Sequence, residues 1–240
     1  WSLPPMDLAL LGQKAENKYV GVNCGIMDQF ASACGEKDKL LYLDCRSLTW
    51  ETVPLPENVA IVVADTTVRR KLTSGEYNKR RAACEQAVRL LQADLPGIRA
   101  LRDVSVADFN RLASKLPVEV EKRARHVVDE VARSSQAVRL LESGNVAEFG
   151  RLMNGCHVSL RDLYEVSCPE LDIMVRVASK LAGCYGARLT GAGFGGCTVN
   201  LVAREQAGMF AQALAAGYES ETGLHPEIYV CQASAGAGLL

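Results

Sequence analysis

The chain has 240 residues, 48% of them hydrophobic, and a formal net charge of −1. That is enough apolar material for a sizeable core in one or two domains, and no basic block suggests a nucleic-acid partner. No apolar run approaches the roughly 18 residues of a membrane span, so no membrane partner is expected. There are nine cysteines, at 24, 34, 45, 84, 156, 168, 184, 197 and 231. None is in a C-x-x-C pair, which argues against a disulfide framework and a zinc site and for a reducing, cytoplasmic compartment. The opening Trp1-Ser2-Leu3-Pro4-Pro5 carries no initiator Met and runs straight into a helix-like stretch, which suggests a fragment or an engineered scar.

In chain order, Leu8 to Tyr19 reads as a helix from its apolar spacing, and a glycine-bearing turn leads into a second helix from Met27 to Cys34. Leu40 to Leu43 is a short strand, which Thr49 to Leu55 is expected to join as a hairpin. Pro54 and Pro56 then punctuate the chain, and a domain boundary is placed at Glu57 or Asn58. The β-branched run Val59 to Ala64 suits a buried strand. Ser74 is read as the N-cap of a helix with Tyr77, Cys84, Val88, Leu91 and Leu95 on one face. Ser105 caps a shorter helix ending near Lys115, and a long helix from Val118 to Ser143 stops at Gly144. Another helix runs from Val146 into residues 160–163, and Pro169 opens a further one. The last third reads strand, glycine loop, strand (Cys197 to Val202), helix (Glu205 to Leu214) and strand (Pro226 to Cys231). The fold class expected is α+β.

Residues 190–196, Thr-Gly-Ala-Gly-Phe-Gly-Gly, contain a literal G-x-G-x-x-G. A dinucleotide fingerprint should open a helix and meet an acidic residue about 20 positions later. Here an alternating, strand-like segment follows instead, so a Rossmann reading is rejected. Two readings remain: a tight turn in which glycines supply positive φ, and a loop whose bare backbone admits a ligand or a neighbouring loop. Four glycines in six residues favour the second.

Five separated segments resemble the galactokinases, members of the GHMP kinase superfamily. They are Cys24-Gly25-Ile26-Met27-Asp28-Gln29-Phe30, Leu43-Asp44-Cys45-Arg46-Ser47-Leu48, Ser74-Gly75-Glu76-Tyr77 with Arg80-Arg81, the 164–172 segment Tyr-Glu-Val-Ser-Cys-Pro-Glu-Leu-Asp, and the loop Leu189 to Val199. The resemblance implies transfer of the ATP γ-phosphoryl group to the anomeric hydroxyl of galactose. It also implies a GHMP-type fold: residues 1–57 as the end of an N-terminal α/β domain, and 58–240 as a ferredoxin-like C-terminal domain with added helices.

Asp28 matches the family's base. From the residues alone it is a helix N-cap or first-turn acid, at a helix end whose dipole favours negative charge; the surrounding motif turns the reading toward catalysis. Gly25 matches a position where backbone approaches the sugar. Tyr77 matches a galactose-contacting tyrosine, although its spacing also suits an ordinary core residue. Glu16 matches a carboxylate ligand of Mg²⁺, an ion that takes hard oxygen donors together with ATP phosphates; viewed alone it is a surface glutamate. Gly191, Gly193, Gly195 and Gly196 belong to the family's third motif. Lys79, Arg80 and Arg81 read as a solvated helix face, with Arg81 able to pair with an acid, and Arg69 and Arg70 could line the cleft. His126 and His157 are read as structural or solvent-exposed.

The family's sugar-recognition segment and its Gly-Leu-Ser-Ser-Ser phosphate loop are not found in the sequence. The isolated chain is therefore expected to lack appreciable kinase activity. Apolar surface on the first segment is expected to be exposed and to promote self-association. A kinase for a related sugar such as N-acetylgalactosamine, and a non-catalytic galactose sensor, are the competing readings.

Overall fold

A computed structural model describes residues 3–21, 23–69 and 73–238, without the side chains of Thr73, Ser74 and Tyr77. The polypeptide begins with helix α1 (Pro5–Ala15), which continues as a wide π turn over Glu16–Val20 until Gly21 adopts φ +81° and ends it. Helix α2 (Met27–Cys34) buries Phe30, Ala33 and Cys34 against α1's Ala9 and against the hairpin of β1 (Lys39–Asp44) and β2 (Thr49–Pro54). The hairpin is antiparallel, with Lys39 opposite Pro54 and Asp44 opposite Thr49. The ring of Trp50 meets that of Phe30 edge-on at 5.6 Å.

Strand β3 (Val59–Asp65) is the centre of a second sheet with β4 (Cys184–Leu189), β5 (Cys197–Ala203) and β6 (Glu227–Cys231). Its order is β4-β5-β3-β6, and every neighbouring pair is antiparallel. With helices between β3 and β4 and between β5 and β6, this is the ferredoxin-like strand order. Alternation along β3 explains its two buried faces. Ala60, Val62 and Ala64 pack under helices α7 (Pro169–Ala178) and α8 (Ala207–Thr222), against their buried residues Met174, Phe210 and Leu214. Val59 and Ile61 face helix α6 (Val146–Ser159), through Phe149 and Met153. α6 lies close enough to β4 that only glycines fit at the crossing. A Cβ on Gly150 would stand 2.1 Å from the Tyr185 carbonyl oxygen, and one on Gly186 would stand 2.1 Å from that of Gly150.

The connection from β3 to β4 is helical. Helix α3 (Thr73–Leu91), α4 (Val106–Leu112) and α5 (Val118–Glu142) enclose a third apolar cluster that includes Leu91, Phe109, Leu112 and Val128. Ser105 caps α4 by accepting the Asp108 N–H at 3.0 Å, as its sequence position indicates. Ser74 does not cap α3: the helix already includes Thr73, so Ser74 lies inside it. α8 extends to Thr222, well beyond Leu214, because fully buried Tyr218 anchors its second half and donates its hydroxyl to the Thr66 carbonyl at 3.0 Å. After β6 the chain returns to the first segment. The N–H groups of Gly236 and Ala237 donate to the Gly35 and Ser32 carbonyls, both at 2.7 Å.

Candidate active site

The sequence-derived residues fall into two groups. The first sits where the π turn meets the start of α2. Asp28 lies in the first turn of α2 with its side chain exposed, three residues after Gly25, itself exposed; a Cβ there would meet nothing within 4 Å. Glu16, exposed at the start of the π turn, is drawn to α2 by Gln29. The Gln29 amide donates to Glu16 Oε1 at 2.9 Å, and the Cys24 thiol donates to Oε2 at 3.4 Å. Burial and the neighbouring Glu16 raise the thiol's pKa, so it stays protonated and keeps that donor role. Glu16 thus holds neutral donors and no cation among the described residues. A lone hard carboxylate of this kind suits an ion that takes one or two protein oxygens and completes its shell elsewhere. No group of three metal-ligating side chains occurs among the described residues.

The second group forms at the Asp65 end of the four-stranded sheet. Here three loops, residues 66–69, 165–167 and 190–196, meet backbone to backbone. Phe194 N–H donates to the Val166 carbonyl at 2.7 Å, Gly196 N–H to the Val68 carbonyl at 3.0 Å, and Thr66 N–H to the Gly196 carbonyl at 3.0 Å. Each loop carries a non-glycine residue in the left-handed region: Thr67 at φ 61°, Glu165 at 54° and Phe194 at 61°. Such residues cost about 1–2 kcal/mol apiece and persist where surrounding contacts over-determine them. The glycines take two distinct roles. A Cβ on Gly193 would lie 2.1 Å from the Val166 oxygen and one on Gly195 2.5 Å from the Val68 oxygen, whereas Gly191 and Gly196 have nothing within 4 Å. Half of this glycine set therefore admits neighbouring loops, and half faces open space.

Two arginines hold the assembly. Arg80, on α3, donates to the Tyr164 and Glu165 carbonyls, both at 2.9 Å, and to Glu76 at 2.8 Å. Its guanidinium stands 5.7 Å from the centre of the Phe194 ring. Arg80 is therefore no solvated-face residue: its side chain is only 12% exposed. Arg123, buried on α5, grips the same turn, bonding the Leu163 carbonyl and Glu165 Oε2. The Arg123 guanidinium holds the Glu165 carboxyl below the ordinary glutamate range. Arg81 pairs with Glu85 at 3.1 Å, as its spacing allows. Arg69 folds back onto Asp65 as an ion pair, so its charge is committed to the strand end rather than left free to line a cleft. Arg70 lies outside the described residues. Tyr77 is on the early turns of α3, but its side chain lies outside the described residues.

Cys24 and Gln29 thus tie Glu16 to the segment that carries Gly25 and Asp28, and Arg80 ties the glycine loop to the α3 segment that carries Tyr77. Among the described residues the two groups share no hydrogen bond or ion pair. Arg80 and Arg123 escaped the sequence reading because nothing local distinguishes a clamping arginine from a solvated one. The available signal was Glu165-Val166 ahead of Pro169, a turn with carbonyls that need donors. Both central histidines are buried. His126 shares a hydrogen bond with Ser159 at 2.8 Å, and His157 stands 3.2 Å from Asp172.

Two family models, "GHMP kinases N terminal domain" and "GHMP kinases C terminal", match residues 1–36 and 137–220. The chain belongs to the GHMP kinases. Among named relatives, a galactokinase of Roseiflexus sp. (strain RS-1) is 53% identical over 97% of this chain and 59% of its own length. A galactokinase of Chloroflexus aurantiacus is 47% identical over 96% of the chain and 59% of its own length. Among solved structures, the Lactococcus lactis galactokinase complexed with galactose superposes with a TM-score of 0.94 at 40% identity, covering 100% of this chain and 62% of that one. The L. major mevalonate kinase, at 20% identity and a TM-score of 0.57, shares the fold. The chain spans 59% of the length of these first relatives.

Proposed function

We propose that the chain is the larger part of a galactokinase, which transfers the γ-phosphoryl group of ATP to the anomeric hydroxyl of galactose. The observation that carries this reading is the whole-chain superposition on a galactokinase that binds galactose, at a TM-score of 0.94. In it, the Asp28 carboxylate accepts the anomeric proton as the sugar oxygen bonds to the γ-phosphorus and the bond to ADP's leaving oxygen breaks. Gly25 lets the sugar approach the backbone, and Tyr77 contacts galactose. The N–H groups of Gly191 and Ala192 make no hydrogen bond among the described residues, and a Cβ on Gly191 would meet nothing within 4 Å, an opening that suits an anionic phosphate. Glu16 would hold Mg²⁺, which neutralises charge on the transferred phosphoryl group when bound.

In this reading residues 1–57 close one domain and 58–240 form the next. The compartment is the cytoplasm, consistent with the absence, among the described residues, of a helix long and apolar enough to cross a membrane. Tyr19, Val20 and Met27 expose large apolar side chains near the first group, and this surface supports self-association of the isolated chain.

The test uses the 240-residue chain and a chimera in which it replaces the matched region of the Roseiflexus galactokinase. ADP release is measured with galactose, N-acetylgalactosamine and no sugar. The chimera is expected to turn over galactose, with Asp28→Asn lowering kcat by about 10²–10⁴-fold; the chain alone is expected to be inactive. Turnover of the amino sugar in preference to galactose, galactose binding without turnover, or an unaffected Asp28→Asn variant would each overturn the assignment.

A further inference from the structure

Further along α3 from the arginine clamp, α3 and the turn Leu101–Asp103 lean on α5 but scarcely on one another. The gap between them is a cavity of about 480 Å³, a size typical of small-molecule sites. Its floor is apolar: Cys84, Val88, Leu101 and Val127. Burial pushes the Cys84 thiol up to about 11, so the floor carries no charge at neutral pH. Its rim is cationic, with Arg81, Arg89, Arg99 and Arg102 set against the single carboxylate of Glu85. Arg102 is committed to Asp44 through two bonds of 2.7 and 2.6 Å, and Arg81 to Glu85. The Arg89 and Arg99 guanidinium groups have no carboxylate partner among the described residues, while the Arg99 backbone N–H donates to Asp103 at 2.8 Å.

We propose that this cavity binds a small amphipathic anion. An apolar body lies over Val88 and Val127, and a carboxylate, sulfonate or phosphate head meets the Arg89 and Arg99 guanidinium groups. The two halves of the site select against the alternatives. A sugar or another neutral polar ligand leaves the apolar floor unmatched, and a cation meets uncompensated positive charge. A purely inorganic anion gains nothing from the floor, which contributes roughly 25 cal/mol for each Å² of apolar surface covered. Guanidinium groups bind planar and tetrahedral oxyanions through paired N–H donors, so either head chemistry is accepted.

The experiment is calorimetric titration of the 240-residue chain with decanoate, decyl phosphate, decanol and decyltrimethylammonium. Decanoate or decyl phosphate is expected to bind at one saturable site. Decanol should bind at least tenfold more weakly and the ammonium not at all, and raising the salt concentration should weaken the anions. The tighter of the two anions identifies the preferred head. Arg89→Glu/Arg99→Glu, two exposed positions whose replacement leaves the core intact, should weaken binding at least tenfold, and Val88→Trp should fill the cavity and abolish it. Anion binding unchanged in the double variant, or no saturable binding of either anion to chain that is folded by circular dichroism, would overturn the proposal.

Discussion

The sharpest quantitative consequence of the glycine loop is a difference between two alanine substitutions in the same turn. Gly191 and Gly193 have nearly identical backbones, at φ 80° and 79°. Either Gly→Ala change therefore incurs the same left-handed cost, about 1–2 kcal/mol. Beyond that their surroundings diverge. At Gly191 the new methyl meets nothing within 4 Å, while at Gly193 it would lie 2.1 Å from the Val166 oxygen and 2.9 Å from the Val166 Cβ. Ordinary contact needs about 3.5 Å, so the loop or residue 166 must move by more than an ångström. That movement breaks the 2.7 Å bond from Phe194 N–H to the Val166 carbonyl, worth about 1 kcal/mol, and adds about 1–3 kcal/mol of repacking. Gly191→Ala is thus expected to cost about 1–2 kcal/mol and Gly193→Ala about 3–6 kcal/mol. Urea and thermal unfolding followed by circular dichroism measure both, and at this chain size the Gly193 variant should melt about 4–16 °C below the Gly191 variant. Equal midpoints would show that the 165–167 and 190–196 loops are not locked backbone to backbone, and the account of the site would fail with them.

Two further expectations test the scaffold. In α6, Gly155→Ala should stabilise by about 0.5–1 kcal/mol, since its methyl meets only the Arg133 side chain at 3.6 Å and alanine favours helix. Gly150→Ala in the same helix should destabilise by about 2–4 kcal/mol through collision with the Tyr185 carbonyl, and similar thermal midpoints for the two would refute the close crossing of α6 on β4. His126, pushed down to about 4 by burial and then by nearby Arg133, is neutral in the folded chain where the unfolded chain, at 6.5, takes up a proton. Its folded pKa lies below its unfolded one, so stability is retained above pH 6.5 and falls as pH drops toward 4, by up to about 3 kcal/mol. His126→Gln should flatten that part of the stability–pH curve relative to the parent; a superimposable curve would mean that the ring takes up its proton as readily in the folded chain.

What the sequence disclosed, and what it did not, divides along the range of the interactions involved. Helix α2 and strand β2 begin where expected, because apolar spacing and flanking turn residues are local. The two π turns, at 16–20 and 160–164, look like plain helix, since nothing in Glu16–Val20 or Leu160–Tyr164 signals a widened turn. Their cause lies after them, at Gly21 and at Glu165, the latter held left-handed by Arg80 and Arg123 from two distant helices. The C-terminal half of α8 was missed because Ala-Ala-Gly reads as a helix end, whereas Tyr218 reaching the Thr66 carbonyl continues it. Asp28 and Gly25 stand in one contiguous motif, so a proposal about them needs only the sequence, while the arginine clamp is legible only once α3 and α5 are folded around residues 163–165. Arg80 reaches both that turn and Phe194 of the glycine loop, so the helix carrying Tyr77 and the open glycines are fixed by one side chain. A substitution at Arg80 should therefore disturb the loop and the tyrosine's helix together, although neither shares its sequence neighbourhood with Asp28.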